Sequence, residues 1–133
     1  MNFINKLFGK KQTVPSKLSV GSQEKQQIIE RWDKVEELEK IGRPSTLKEA
    51  VIEADKLIDY ALDKIYPGRD SAAERLKETK DLFIRSRQDY ENLWYAHKLR
   101  NELVHTIGFE LPIVEAKNLL VYYKNTLKIL GIL

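Results

Sequence analysis

Near the C-terminal end of the chain, LRNELVHTIG (Leu99 to Gly108) places an arginine, an amide and an imidazole close together as Arg100, Asn101 and His105. An imidazole titrating near neutrality can take and return a proton. A guanidinium beside it can stabilise negative charge through a fork of donors. On a helix, the chain's 2 histidines fall in one column with Asn101, as His97, Asn101 and His105, with Trp94 beside it. Two readings follow: a small acid–base site, or a salt-bridged core with a stray histidine. A metal site is not expected. The two histidines lie two turns apart, no H-E-x-x-H pattern occurs, and the chain has no cysteine to supply thiolates. No cofactor is expected either.

The element that carries these residues reads as a helix opened by Asp89 and running to about Ile107, with Gly108 as its left-handed stop. At roughly 100° per residue, Leu93, Ala96, Leu99, Leu103, Val104 and Ile107 gather on one side, which must face the core, and Arg100 projects from that same side. An arginine there is costly unless it is paired or reaches a polar cleft. Asp55 and Asp59, near the edge of an earlier apolar stripe, are the carboxylates expected to meet it. Arg100 and His105 flank Asn101 on opposite sides, so a second copy of this helix would let them share one cleft.

Four other helices complete the pattern. The first is expected over 23–40 on the stripe Ile28, Ile29, Trp32, Val35 and Leu38, ended by Gly42 and Pro44. The second is expected to start at Thr46 with the capping box T-L-K-E, and to bury Leu47 through Ile65 at helical spacing. A second box, Ser71 to Glu74, opens a third helix carrying Leu76, Leu82 and Phe83. The last helix starts around Pro112 and reaches Leu130. Its apolar face is wide, including Ile113, Val114, Val121 and Ile129. Either the helix is central or the excess serves a dimer interface. The fold class is therefore all-α, an antiparallel bundle of four to five helices.

The chain has 133 residues, enough for one domain with a core, and a globular composition of 42% hydrophobic and 32% charged residues. The absence of cysteine suits an intracellular, cytoplasmic home. No apolar run approaches the roughly 18 residues of a spanning helix. The net charge of +3 belongs to the N-terminal segment. Lys6, Lys10, Lys11 and Lys17 precede the first acidic residue, Glu24, and removing these four from 23 basic residues leaves 19 against 20 acidic ones. The near-neutral remainder offers no bulk electrostatic case for nucleic-acid binding. Residues 1–22 read as a basic amphipathic tail and linker, and 23–133 as the bundle. Phe3, Ile4, Leu7 and Phe8 lie at helical spacing beside Lys6, Lys10 and Lys11, which suits an anionic membrane surface and a peripheral location, or else a plain tail. The start is too short, and too basic downstream of its apolar residues, for a secretory signal.

Arg100-Asn101-Glu102-Leu103-Val104-His105 resembles the Arg-x4-6-His motif of the HEPN superfamily, small all-helical domains that often carry a polar residue after the arginine. AVIEADKLIDYAL, ERLKETKDLF and WYAHKLRNELVH together are similar to an uncharacterised bacterial branch of it, over about Lys48 to Leu130. The resemblance implies a homodimer and, as in many members, a metal-independent endoribonuclease whose arginine and histidine line a shared cleft. His105 would then move the 2′-hydroxyl or leaving-group proton, Arg100 would hold the phosphate, and Asn101 would orient either one. The products would be a 2′,3′-cyclic phosphate and a 5′-hydroxyl. Other members bind nucleotides or act as assembly modules without catalysis, which is the alternative here. The tyrosine that nucleotidyltransferase-partnered members carry two residues after the histidine is Ile107 in this chain. The pairs Trp94-Tyr95 and Tyr122-Tyr123 fit either base stacking or core packing.

Overall fold

The computed structural model describes residues 19–133. The expectations placed on Phe3, Ile4, Lys6, Leu7, Phe8, Lys10 and Lys11 lie outside the described residues. Five α-helices follow one another: α1 (Ser22–Ile41), α2 (Pro44–Ile65), α3 (Ala72–Glu78), α4 (Arg87–His105) and α5 (Ile113–Ile129). A 3-10 turn, Thr79–Phe83, extends α3. Among the described residues there is no strand.

Helix α2 is the hub. Leu47, Val51, Leu57, Ile58, Leu62 and Ile65 are buried on it, and Ala50, Ala54 and Ala61 between them let neighbouring backbones come close. Helices α1, α4 and α5 all pack against it. The tie from Tyr60 to Gln27 and the ion pair of Arg31 with Glu53 run α1 antiparallel to α2. Asp55 meets His97 on α4 and Tyr123 on α5, while Leu47 shares a groove with Leu103 and Ala116. Those pairings set α4 antiparallel to α2 and place α5 beside α2 in the same direction. Trp32 and Lys124 both donate to the Glu36 carboxylate, at 3.0 and 2.8 Å, and so join α1 to α5. Val20, ahead of the first helix, is also buried in the core.

Two helix starts differ from the sequence expectation and a third agrees with it. Helix α2 begins at Pro44 rather than Thr46, because proline has no N–H to leave unpaired and its ring holds a helical φ. Thr46 sits in the first turn, where its hydroxyl accepts from the Arg43 N–H at 3.1 Å, so no Thr46–Glu49 box forms. Helix α4 is capped by Ser86 rather than Asp89: the Ser86 hydroxyl accepts from the Asp89 N–H. At Ser71 the expected cap is present, accepting from the Glu74 N–H at 3.1 Å. Helix α3 is short, and Leu82 and Phe83 reach the core from the 3-10 turn. Gly108, at φ 80°, reverses the chain after α4, a conformation that favours a residue without Cβ.

Candidate functional site

The site is built on the inward faces of α2, α4 and α5. Asp55 interrupts the apolar face of α2 and is buried among residues that cannot solvate it. A carboxylate in that position needs donors, and two neighbouring helices supply them. The Tyr123 hydroxyl donates to Asp55 Oδ2 at 2.9 Å, and His97 Nδ1 lies 3.0 Å from the same oxygen. Arg100 Nε stands 3.6 Å from the other oxygen, Oδ1, close enough for an ion pair but beyond a hydrogen bond. That Nε is buried and has no hydrogen-bond partner. Arg100 Nη1 instead donates to Asn101 Oδ1 at 2.8 Å, and Asn101 Nδ2 faces His97 Nε2 at 3.5 Å.

These contacts close a ring: Arg100, Asn101, His97, Asp55 and back to Arg100. They also select one imidazole tautomer. With Nδ1 carrying the proton toward the carboxylate, Nε2 presents a lone pair to the Asn101 amide. Trp94 packs edge-on against the His97 ring, centroids 6.3 Å apart, and fixes its plane. Burial, and then the neighbouring Asp55 carboxylate, push the Tyr123 phenol well above its usual value, with Arg100 acting in the opposite direction. Tyr123 therefore serves as a donor.

Of the residues singled out from the sequence, Arg100, Asn101, His97 and Asp55 come together. Asp59 does not join them. One turn further along α2, its two oxygens accept from Arg75 Nε at 2.7 Å and Nη2 at 3.0 Å, a bidentate pair that fastens α3 to α2. The expectation that Asp59 could serve Arg100 fails because α3 places a guanidinium directly over it. His105 is exposed at the last residue of α4, outside the ring. Around the helix it lies about 140° from Arg100. Tyr123 is fully buried, which excludes it as a base-stacking surface. Its part in the site was not anticipated. Its spacing on α5 marks a core position, and its partner lies 68 residues earlier in the chain.

An open groove of about 700 Å³ lies at the end of the bundle, where the α4–α5 loop meets the start of α2. Leu47, Leu103, Phe109, Leu111 and Ile113 line it, with Lys48 at its edge, and Arg100 and His105 are not among its walls. Beside it, Val104 and Ile107, expected on the core side of α4, are exposed, because the helix ends at His105 and its last turn runs past the body of α2; Ile113 and Val114 are exposed as well. Among the described residues no cluster of side chains could hold a metal ion, and no helix is long and apolar enough to cross a membrane. Set against known protein families, curated proteins and solved structures, the chain finds no match in any of the three comparisons.

Proposed function

We propose that this chain is a HEPN-like helical domain that engages phosphate-bearing ligands, RNA foremost, through Arg100. On this reading it cleaves RNA without a metal through His105, where two copies meet. The observation that carries the proposal is the state of Arg100. Its guanidinium stands over a buried carboxylate without hydrogen-bonding to it, its Nη1 is steadied by Asn101, and 24% of the side chain stays exposed. An arginine serving only to neutralise Asp55 would close into a bidentate pair at about 2.8 Å. This one does not, and part of its side chain stays at the surface.

The chemistry is in-line transfer within RNA. The 2′-oxygen attacks phosphorus and the bond to the 5′-oxygen breaks. A proton leaves the 2′-hydroxyl and another is given to the departing oxygen. The exposed imidazole of His105 is suited to either proton transfer, and Arg100 to the charge gathering on the phosphate. One chain turns Arg100 and His105 to different sides of α4, so the reading requires a second copy. Exposed Val104 and Ile107 flank His105, and Ile113 and Val114 continue that apolar corner, which supports a homodimer there.

Purified protein incubated with labelled RNA in EDTA, beside His105→Ala and Arg100→Ala, tests the proposal. Cleavage by the native chain and its loss in both variants is the expected result. Equal cleavage by all three identifies a contaminating nuclease and removes the catalytic reading. One observation favours a second reading, a non-catalytic nucleotide-binding or protein-interaction module: His105 stands outside the ring around Asp55, on a different side of α4 from Arg100. That module would bind nucleotide and cleave nothing.

A further inference from the structure

Asp55 receives both of its hydrogen bonds on one oxygen. The Tyr123 hydroxyl and His97 Nδ1 converge on Oδ2 from two different helices, and Oδ1 faces Arg100 Nε at 3.6 Å. A carboxylate with both oxygens open draws a guanidinium into two parallel N–H···O bonds near 2.8 Å. Here Oδ2 is taken on two sides, so a two-bond pair has no second acceptor, and Arg100 Nε stands 3.6 Å from Oδ1, buried and without a hydrogen-bond partner. The same imidazole that occupies Oδ2 also faces the Asn101 amide, and that amide holds Nη1 of Arg100.

We propose that Tyr123 and His97 are positioning residues that prevent Asp55 from capturing Arg100, and so keep the guanidinium presented to an anionic ligand. The class of that ligand, a phosphodiester, rests on the reading above, whereas the positioning itself does not. Neither residue needs to touch the ligand: each acts through Asp55, and His97 also through Asn101. The arrangement makes a counter-intuitive demand. Removing a buried hydrogen bond from Asp55 should tighten its grip on Arg100 and weaken ligand binding.

Tyr123→Phe keeps the ring volume and opens one side of Oδ2. In nitrogen-15 spectra the Arg100 Nε–H resonance should move downfield and exchange more slowly with water as the ion pair closes. Affinity for a 2′-O-methyl oligoribonucleotide, which binds but cannot be cleaved, should fall about fivefold, the equivalent of one hydrogen bond. The double variant Asp55→Asn with Tyr123→Phe removes the charge that captures Arg100 and should recover most of that affinity, a rescue that mere loosening of the core would not give. If Tyr123→Phe does not fold, His97→Leu opens the other side of Oδ2 and should produce the same shift. An Arg100 resonance unmoved in the folded variant overturns the proposal, as does a double variant that binds no better than the single one. If the native chain binds no oligonucleotide and the resonance still moves, the positioning stands and the RNA reading falls.

Discussion

The phenol of Tyr123 and the carboxylate of Asp55, 68 residues apart in sequence, meet at 2.9 Å inside the bundle. This bond joins the hub helix α2 to the last helix, and His97 adds α4 to the same oxygen. Three helices therefore converge on one buried negative charge. The first prediction concerns that charge. Asp55→Ala leaves the Tyr123 hydroxyl and the His97 Nδ1–H without their acceptor and the Arg100 guanidinium without its counter-charge. Loss of one member of a buried charged network costs about 3–5 kcal/mol, and urea unfolding followed by circular dichroism should register a loss of that size. Tyr123→Phe, which removes one donor to the carboxylate, should cost only about 1 kcal/mol.

Tyr123 also predicts an alkaline limit. The unfolded phenol ionises near its usual value of about 10, whereas burial and Asp55 hold the folded one well above it. The folded state then binds a proton that the unfolded state has released. The stability from this group is full below the unfolded value and is lost as pH rises beyond it. Absorbance at 295 nm should show a phenol among the chain's 6 tyrosines that ionises only together with loss of helix. In Tyr123→Phe that component should be absent.

Arg75→Met tests the attachment of α3. The bidentate pair with Asp59 is half sheltered, with the arginine side chain 13% exposed and the carboxylate 35%. Its loss should cost about 1–2 kcal/mol, below the cost at Asp55 because water still reaches Asp59. Hydrogen exchange should quicken in 72–83 before the rest of the bundle opens.

Ile107→Lys addresses self-association. A fully exposed isoleucine beside Val104, Ile113 and Val114 is surface that a second copy would cover. Light scattering after gel filtration should give a dimer mass for the native chain and a monomer mass for the variant, with the helical spectrum unchanged. A native chain that is monomeric at high micromolar concentration removes the dimeric cleft from the functional proposal.

The amphipathic, lysine-rich stretch around Phe3 to Lys11 predicts attraction to anionic lipid. Vesicles containing phosphatidylserine should sediment the full chain and leave a chain beginning at Ser19 in solution. Equal sedimentation of the two discards the membrane role.

The helices could be read from the sequence because their signals are local. Apolar spacing, glycine stops and small polar caps act within a few residues of where they stand. The errors were local too: Pro44 displaced Thr46, and Ser86 displaced Asp89, where two adequate start signals competed within three residues. For the site, the spacing marked Arg100 as a charge on a buried face and Asp55 as an edge carboxylate. Periodicity could not tell which carboxylate each arginine takes. That depends on how α3 and α4 cross α2, and it closed Asp59 onto Arg75 while leaving Arg100 3.6 Å from Asp55. Tyr123 was hidden for the same reason. A tyrosine at a core position reads as apolar bulk until a distant helix brings an acceptor to its hydroxyl.

Val20 sets a practical boundary. It lies ahead of α1, in a stretch that reads as linker, yet its side chain fills the interior. Trimming the polypeptide at the first helical residue, Ser22, would pull a plug from the bundle and leave a hole. Fragments cut there would melt early for reasons unrelated to the tail, and any defect they showed would be charged to the wrong part of the protein.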